Sequence, residues 1–131
     1  MSSSRTPWAV AALLLLGAVA AAPCAAQVAE TKSIRERGID LAAVAKSRAK
    51  ARSFGLAAQM FHEAYNIDRA EWSYLFSAGR CEQLNGDLEQ AAQTYRRFLG
   101  TAPTDHNLRA RAGAELRKIE AELALKAAAE A

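Results

Sequence analysis

The stretch WSYLFSAGRCEQLNGDLEQAAQTYRRFLGTAPTD, Trp72 to Asp105, lies without a gap over GIDLAAVAKSRAKARSFGLAAQMFHEAYNIDRAE, Gly38 to Glu71. At this 34-residue shift Leu41 falls on Leu75, Val44 on Ala78, Ala45 on Gly79, Phe54 on Leu88, Ala57 on Ala91 and Phe61 on Tyr95. A fixed period of this length marks a supersecondary unit that cannot bury its apolar face alone and stacks on its own kind. Gly79 and Ala45 let one helix approach its partner closely. Ala57 with Phe61, and Ala91 with Tyr95, alternate small and large so that neighbouring helices interdigitate. The repeated positions are therefore expected in a core.

Composition agrees. Alanine, leucine, glutamate, arginine and lysine dominate the 131 residues, and there are only three prolines, a balance that favours helix over strand. The fold class expected is all-α, one domain with one core. Helices are expected at 34–51, 54–66, 69–84 and 88–99. Ser33 with Glu36, Asp68 with Glu71, and Asp87 with Gln90 read as caps at helix starts, and Gly86 and Gly100 suit turns. A fifth helix is expected over 106–128, where Leu108, Ala112, Leu116, Ile119 and Leu123 recur at spacings of three and four and the other face is charged.

At these residues the chain resembles the tetratricopeptide-repeat family. Trp72-Ser-Tyr-Leu-Phe-Ser-Ala-Gly79 looks like its first-helix signature, Leu84-Asn-Gly86-Asp87-Leu88 like its turn, Ala91-Ala-Gln-Thr-Tyr95 like its second-helix core, and Pro103 like its terminator. The earlier unit keeps Ala57, Phe61 and Ala64 but has Ala45 for the family glycine, Arg52 for the turn glycine and Arg69 for the proline. The resemblance implies two repeats, 38–71 and 72–105, closed by a capping helix over 106–128. It implies antiparallel helix-turn-helix units within a domain spanning 34–131.

Ahead of that domain, Arg5 precedes an apolar run from Trp8 to Ala22, and small residues follow at Cys24, Ala25 and Ala26. This is the pattern of a secretory signal peptide over 1–26, cleaved after Ala26, with 27–33 a short flexible segment. The run is shorter than the roughly 20 apolar residues a spanning helix needs, so no spanning segment is expected once the leader is removed. A periplasmic or secreted location follows. Cys24 stands where a lipoprotein is lipidated, but Ala21, Ala22 and Pro23 before it depart from that signal. Cys81 is then the only thiol of the mature chain, expected buried in a helix and inert, with pairing between chains as the alternative.

Removing the leader with Arg5 leaves 16 basic and 14 acidic residues, too even a balance for a phosphate-tracking surface, so no nucleic-acid partner is expected. His62 and His106 stand in no metal-binding motif, no glycine-rich phosphate loop is present, and neither catalysis nor a cofactor or metal is expected. What the resemblance implies is a protein partner held in a groove lined by the first helix of each pair. The residues it places there are Lys46 and Lys50 from the first unit, Phe76, Arg80 and Gln83 from the second, and Arg117 from the capping helix. That set is mostly cationic and fits a segment bearing acidic residues, with Arg80 giving directional hydrogen bonds and Phe76 an apolar anchor. Two repeats are few for a stable stack, so a homodimer, as a self-associating structural protein of the envelope, is the other reading.

Overall fold

Five helices run through residues 32–131, the part of the chain that the computed structural model describes: α1 (Ile34–Lys50), α2 (Phe54–Ile67), α3 (Ser73–Leu84), α4 (Leu88–Thr101) and α5 (Arg109–Glu130). No strand occurs among the described residues. Each helix packs on the next, α1 on α2 through to α4 on α5. The expected leader over 1–26 and its expected cleavage after Ala26, Cys24 and the start of the 27–33 segment lie outside the described residues. Among those described, no helix is long and apolar enough to cross a membrane.

The 34-residue period reappears in the backbone. After α1 the N–H of Arg52 donates to the Ala49 carbonyl and that of Ser53 to the Arg48 carbonyl; after α3, Gly86 donates to Gln83 and Asp87 to Glu82. This pair of bonds is the Schellman closure, which satisfies the last carbonyls of a helix and needs a left-handed residue just beyond it. Gly86 supplies that residue at φ 83, and Arg52, 34 positions earlier, is forced to φ 60. A side chain in that conformation is strained by roughly 1–2 kcal/mol, a strain glycine escapes. Arg52→Gly is accordingly expected to raise stability by about 1 kcal/mol, read as an increase in the urea midpoint at unchanged slope. An unchanged or lower midpoint would show that the Arg52 side chain contributes more than its backbone costs.

The expected caps divide. Ser33 and Glu36 form the full reciprocal capping box on α1. Asp87 does not cap α4 through its side chain: its N–H is held by the Schellman bond, its ψ of 67 leaves the extended region, and its carboxylate accepts from Asn85 Nδ2 instead. Asp68 is engaged by the Ala70 N–H in a local turn, so α3 begins at Ser73 rather than 69. For the same reason, a turn over Pro103–Leu108 delays α5 to Arg109. Gly100 lies in the last turn of α4, not in a connection.

Alanines and aromatics build the core. Ala45, Ala57, Ala64, Leu75, Ala78, Ala91, Tyr95, Phe98 and Ala112 are completely buried, and Ile119 nearly so. Gly79 is required by its neighbour: a Cβ there would lie 3.2 Å from the Tyr95 ring. Phe76, Tyr95, Phe98 and His106 pack edge to face, and Trp72 meets the His106 ring from the other side. The Arg109 guanidinium donates to the Leu99 and Ala102 carbonyls, tying α5 to the end of α4. Val44, superposed by the period on fully buried Ala78, is 42% exposed. It lies on α1, and among the described residues no helix precedes α1 to cover the equivalent face.

Candidate functional site

On α3 the side chains of Arg80 and Gln83 sit one turn apart and reach across to α4 and α5. Tyr95 Oη donates to Gln83 Oε1 at 3.1 Å, and Gln83 Nε2 donates to Glu115 Oε2 at 2.9 Å. Arg80 Nη1 stands 3.7 Å from that same oxygen, and Lys118 Nζ is 3.5 Å from Glu115 Oε1. Nearby, the Arg111 guanidinium lies over the Phe76 ring, 5.5 Å from its centroid, a cation held in place by a ring face. Two cations, Arg80 from α3 and Lys118 from α5, thus gather at one carboxylate, and a third, Arg111, is held over Phe76.

The electrostatics follow from this arrangement. The hydrogen bond from the Gln83 amide, which outweighs the opposing effect of burial, and then the charges of Lys118 and Arg80, hold the Glu115 carboxyl below its usual range. The Tyr95 hydroxyl is pushed up to about 12, first by burial and then by Glu115, against the opposing pull of Arg80 and Arg111. Tyr95 is therefore a neutral donor that fixes the Gln83 amide, and Glu115 is an ionised acceptor that fixes Arg80.

Of the residues expected from sequence, Arg80 and Gln83 are brought together and partly exposed. Lys46 and Lys50 are exposed on α1 and make no ion pair among the described residues. Phe76 sits elsewhere than an anchor would: it is 6% exposed and packs its edges on Tyr95 and Phe98, so its free face is what carries Arg111. Arg117 is exposed on α5, with its guanidinium beside Gly113. Sequence reasoning missed Arg111, Glu115 and Lys118. The signal was available, since Arg111 and Lys118 stand 34 residues after Ser77 and Leu84 and so flank, along α5, the position equivalent to Arg80.

A second polar cluster crosses the core between α2, α3 and α4. Glu82, 4% exposed, accepts at Oε1 from Thr94 Oγ1 at 2.7 Å and shares a 2.9 Å bond with His62 Nε2, while its Oε2 has no partner. His62 is 28% exposed at the side chain. Cys81 is free and buried, its thiol pushed up first by burial and then by Glu82, which favours the unreactive protonated form. Among the described residues no three His, Cys, Asp or Glu side chains gather as a metal ion would require.

No family model, curated protein or solved structure matches the chain.

Proposed function

We propose that the protein is an exported tetratricopeptide-repeat scaffold that catalyses nothing and holds an acidic segment of a partner protein against the surface formed by its first helices, α1, α3 and α5. One observation carries the reading: Arg80 and Lys118 flank a single carboxylate, Glu115, and Arg111 stands over the Phe76 ring of α3, which leaves a net positive surface with preset donors. Lys46 occupies in α1 the repeat position that Arg80 holds in α3, and with Lys50 it extends the same charge along the array. The 34-residue recurrence of the Schellman turns supports the repeat assignment. The leader of residues 1–26 supports an envelope or extracellular setting.

Arg80 suits directional recognition because Glu115 already holds its guanidinium on one side while the other remains partly exposed. An incoming carboxylate meets an oriented fork and loses little side-chain entropy on binding. Arg111, restrained over Phe76, offers a second such contact.

The test is fluorescence anisotropy with a labelled peptide of alternating glutamate and leucine, beside affinity capture of the native partner from envelope extract. Arg80→Glu with Arg111→Glu is expected to weaken peptide binding by at least about tenfold and to abolish capture, in a chain that keeps its helical circular dichroism at the assay temperature. Lys126→Glu, at the far end of α5, leaves both intact. Equal binding by the charge-reversed chain would sink this reading.

A further inference from the structure

Tyr65, in the last turn of α2, carries two guanidiniums on one ring. Arg97 of α4 stands over it at 5.2 Å from the centroid, and Arg69, just beyond the end of α2, at 5.4 Å. Both arginines are exposed, whereas Tyr65 itself is only 4% exposed. The negative face of the ring attracts each cation and restrains it. Nothing in the repeat requires this arrangement. At the 34-residue shift Tyr65 falls on Leu99, Arg69 on Pro103, and Arg97 on Glu63, so the pair is an addition to the shared packing rather than part of it.

Like charges repel, yet no carboxylate balances these two. Arg80 and Lys118 flank Glu115, and Arg96 meets Glu120, but neither Arg69 nor Arg97 makes an ion pair among the described residues. The acids nearest in sequence are turned elsewhere. Asp68 accepts from the Ala70 N–H and Glu71 from Ser73 Oγ; the Tyr74 hydroxyl is pushed up first by burial and then by Glu71 and Asp68, which sets both carboxylates toward Tyr74. Glu63, two residues before Tyr65, lies around the far side of α2. The donors of the pair are also largely unused. Arg69 Nη2 donates to Asn66 Oδ1 at 3.2 Å, and no other side-chain acceptor meets either guanidinium among the described residues. Each fork keeps N–H groups in its plane for an incoming oxygen.

We propose that Arg69 and Arg97, held around the Tyr65 ring, form a binding site for a phosphate-type oxyanion, a phosphate monoester or a sulfate group. Charge and shape both select this class. A carboxylate fills one guanidinium fork, whereas a tetrahedral dianion carries two negative charges and directs its oxygens several ways, so that it accepts from both forks at once. The ring holds the two cations near each other before the anion arrives, so little side-chain freedom remains to be lost on binding. The site belongs to α2, α4 and the connection after α2. It shares no residue with the surface around Arg80 and does not rest on the reading of that surface, so either can fail alone.

Side-chain NMR of the full chain, following the arginine Nε–Hε groups and the Tyr65 ring, tests it. Sulfate and phosphate at mildly alkaline pH are expected to shift the Arg69, Arg97 and Tyr65 signals together, with one apparent Kd, and acetate at equal ionic strength to leave them in place. Arg69→Gln and Arg97→Gln, both at exposed positions, are each expected to weaken binding by at least about tenfold. Replacing both arginines by lysine keeps the charge, loses the forks, and is expected to weaken binding as much. Phosphatidylcholine vesicles with and without phosphatidic acid then separate the sources. Sedimentation with phosphatidic acid by the native chain, and not by Arg69→Gln, assigns the site to a lipid headgroup; anion binding without sedimentation assigns it to a free phosphate group. No shift with either dianion, equal shifts with acetate, or undiminished binding by either glutamine variant or by the double lysine variant would each overturn the proposal.

Discussion

Phe98→Ala is expected to destabilise the folded chain by about 3–5 kcal/mol. Phe98 is completely buried. It lies where α4 meets α3 and the connection to α5, with Phe76 of α3 at 5.9 Å and His106 of the turn before α5 at 5.4 Å between ring centroids. Its repeat equivalent is Ala64, so the second unit fills with an aromatic ring a place the first unit fills with a methyl, and the surroundings are too interlocked to collapse onto the void. A domain of about a hundred residues has only about 5–15 kcal/mol in all, and the loss translates to a fall of roughly 12 °C or more in melting temperature. A fall of only a few degrees would mean that the stack is not held at this junction.

The second large effect is non-additive. His62→Ala removes one of the two partners of Glu82 and leaves a 4%-exposed carboxylate with Thr94 alone, an expected loss of about 1–3 kcal/mol. Replacing Glu82 by methionine in the same chain removes the stranded charge, so the double variant is expected to be more stable than His62→Ala alone. The orphaned Oε2 gives the reason: this buried carboxylate is already incompletely satisfied, and an apolar side chain of similar length avoids its desolvation. Urea titrations of both variants against the parent decide the matter. A double variant less stable than the single one would show that Glu82 contributes through contacts other than His62.

Much of this architecture was legible because the period fixes two kinds of position at once. Ala45, Ala57, Leu75, Ala91 and Tyr95 recur at 34 and are buried; the boundaries of α1, α2 and α4 followed from the same register. The failures have local causes. Asp68 and Asp87 have the right side chain for a cap, but the backbone around them is already committed to turn bonds, something residue type alone does not reveal. Val44 matches a buried position, yet burial there depends on a preceding helix, and α1 is the first helix described. Phe76 faces the first-helix surface by register but is covered by the Arg111 guanidinium, a contact between residues 35 apart that a repeat alignment ignores. Glu115 itself was hidden for a related reason: in the repeat register it falls on Cys81, a core position, whereas its partners Gln83 and Arg80 come from α3.

The central claim is that the first helices form the binding surface. Amide chemical-shift mapping of the labelled protein, titrated with the glutamate-leucine peptide, tests it most directly. The account predicts that perturbed amides cluster on α1, α3 and the first half of α5, around Lys46, Arg80 and Arg111, and that they return toward their free positions as salt is raised. Perturbations confined to α2 and α4, or none at peptide concentrations that saturate anisotropy, would contradict it.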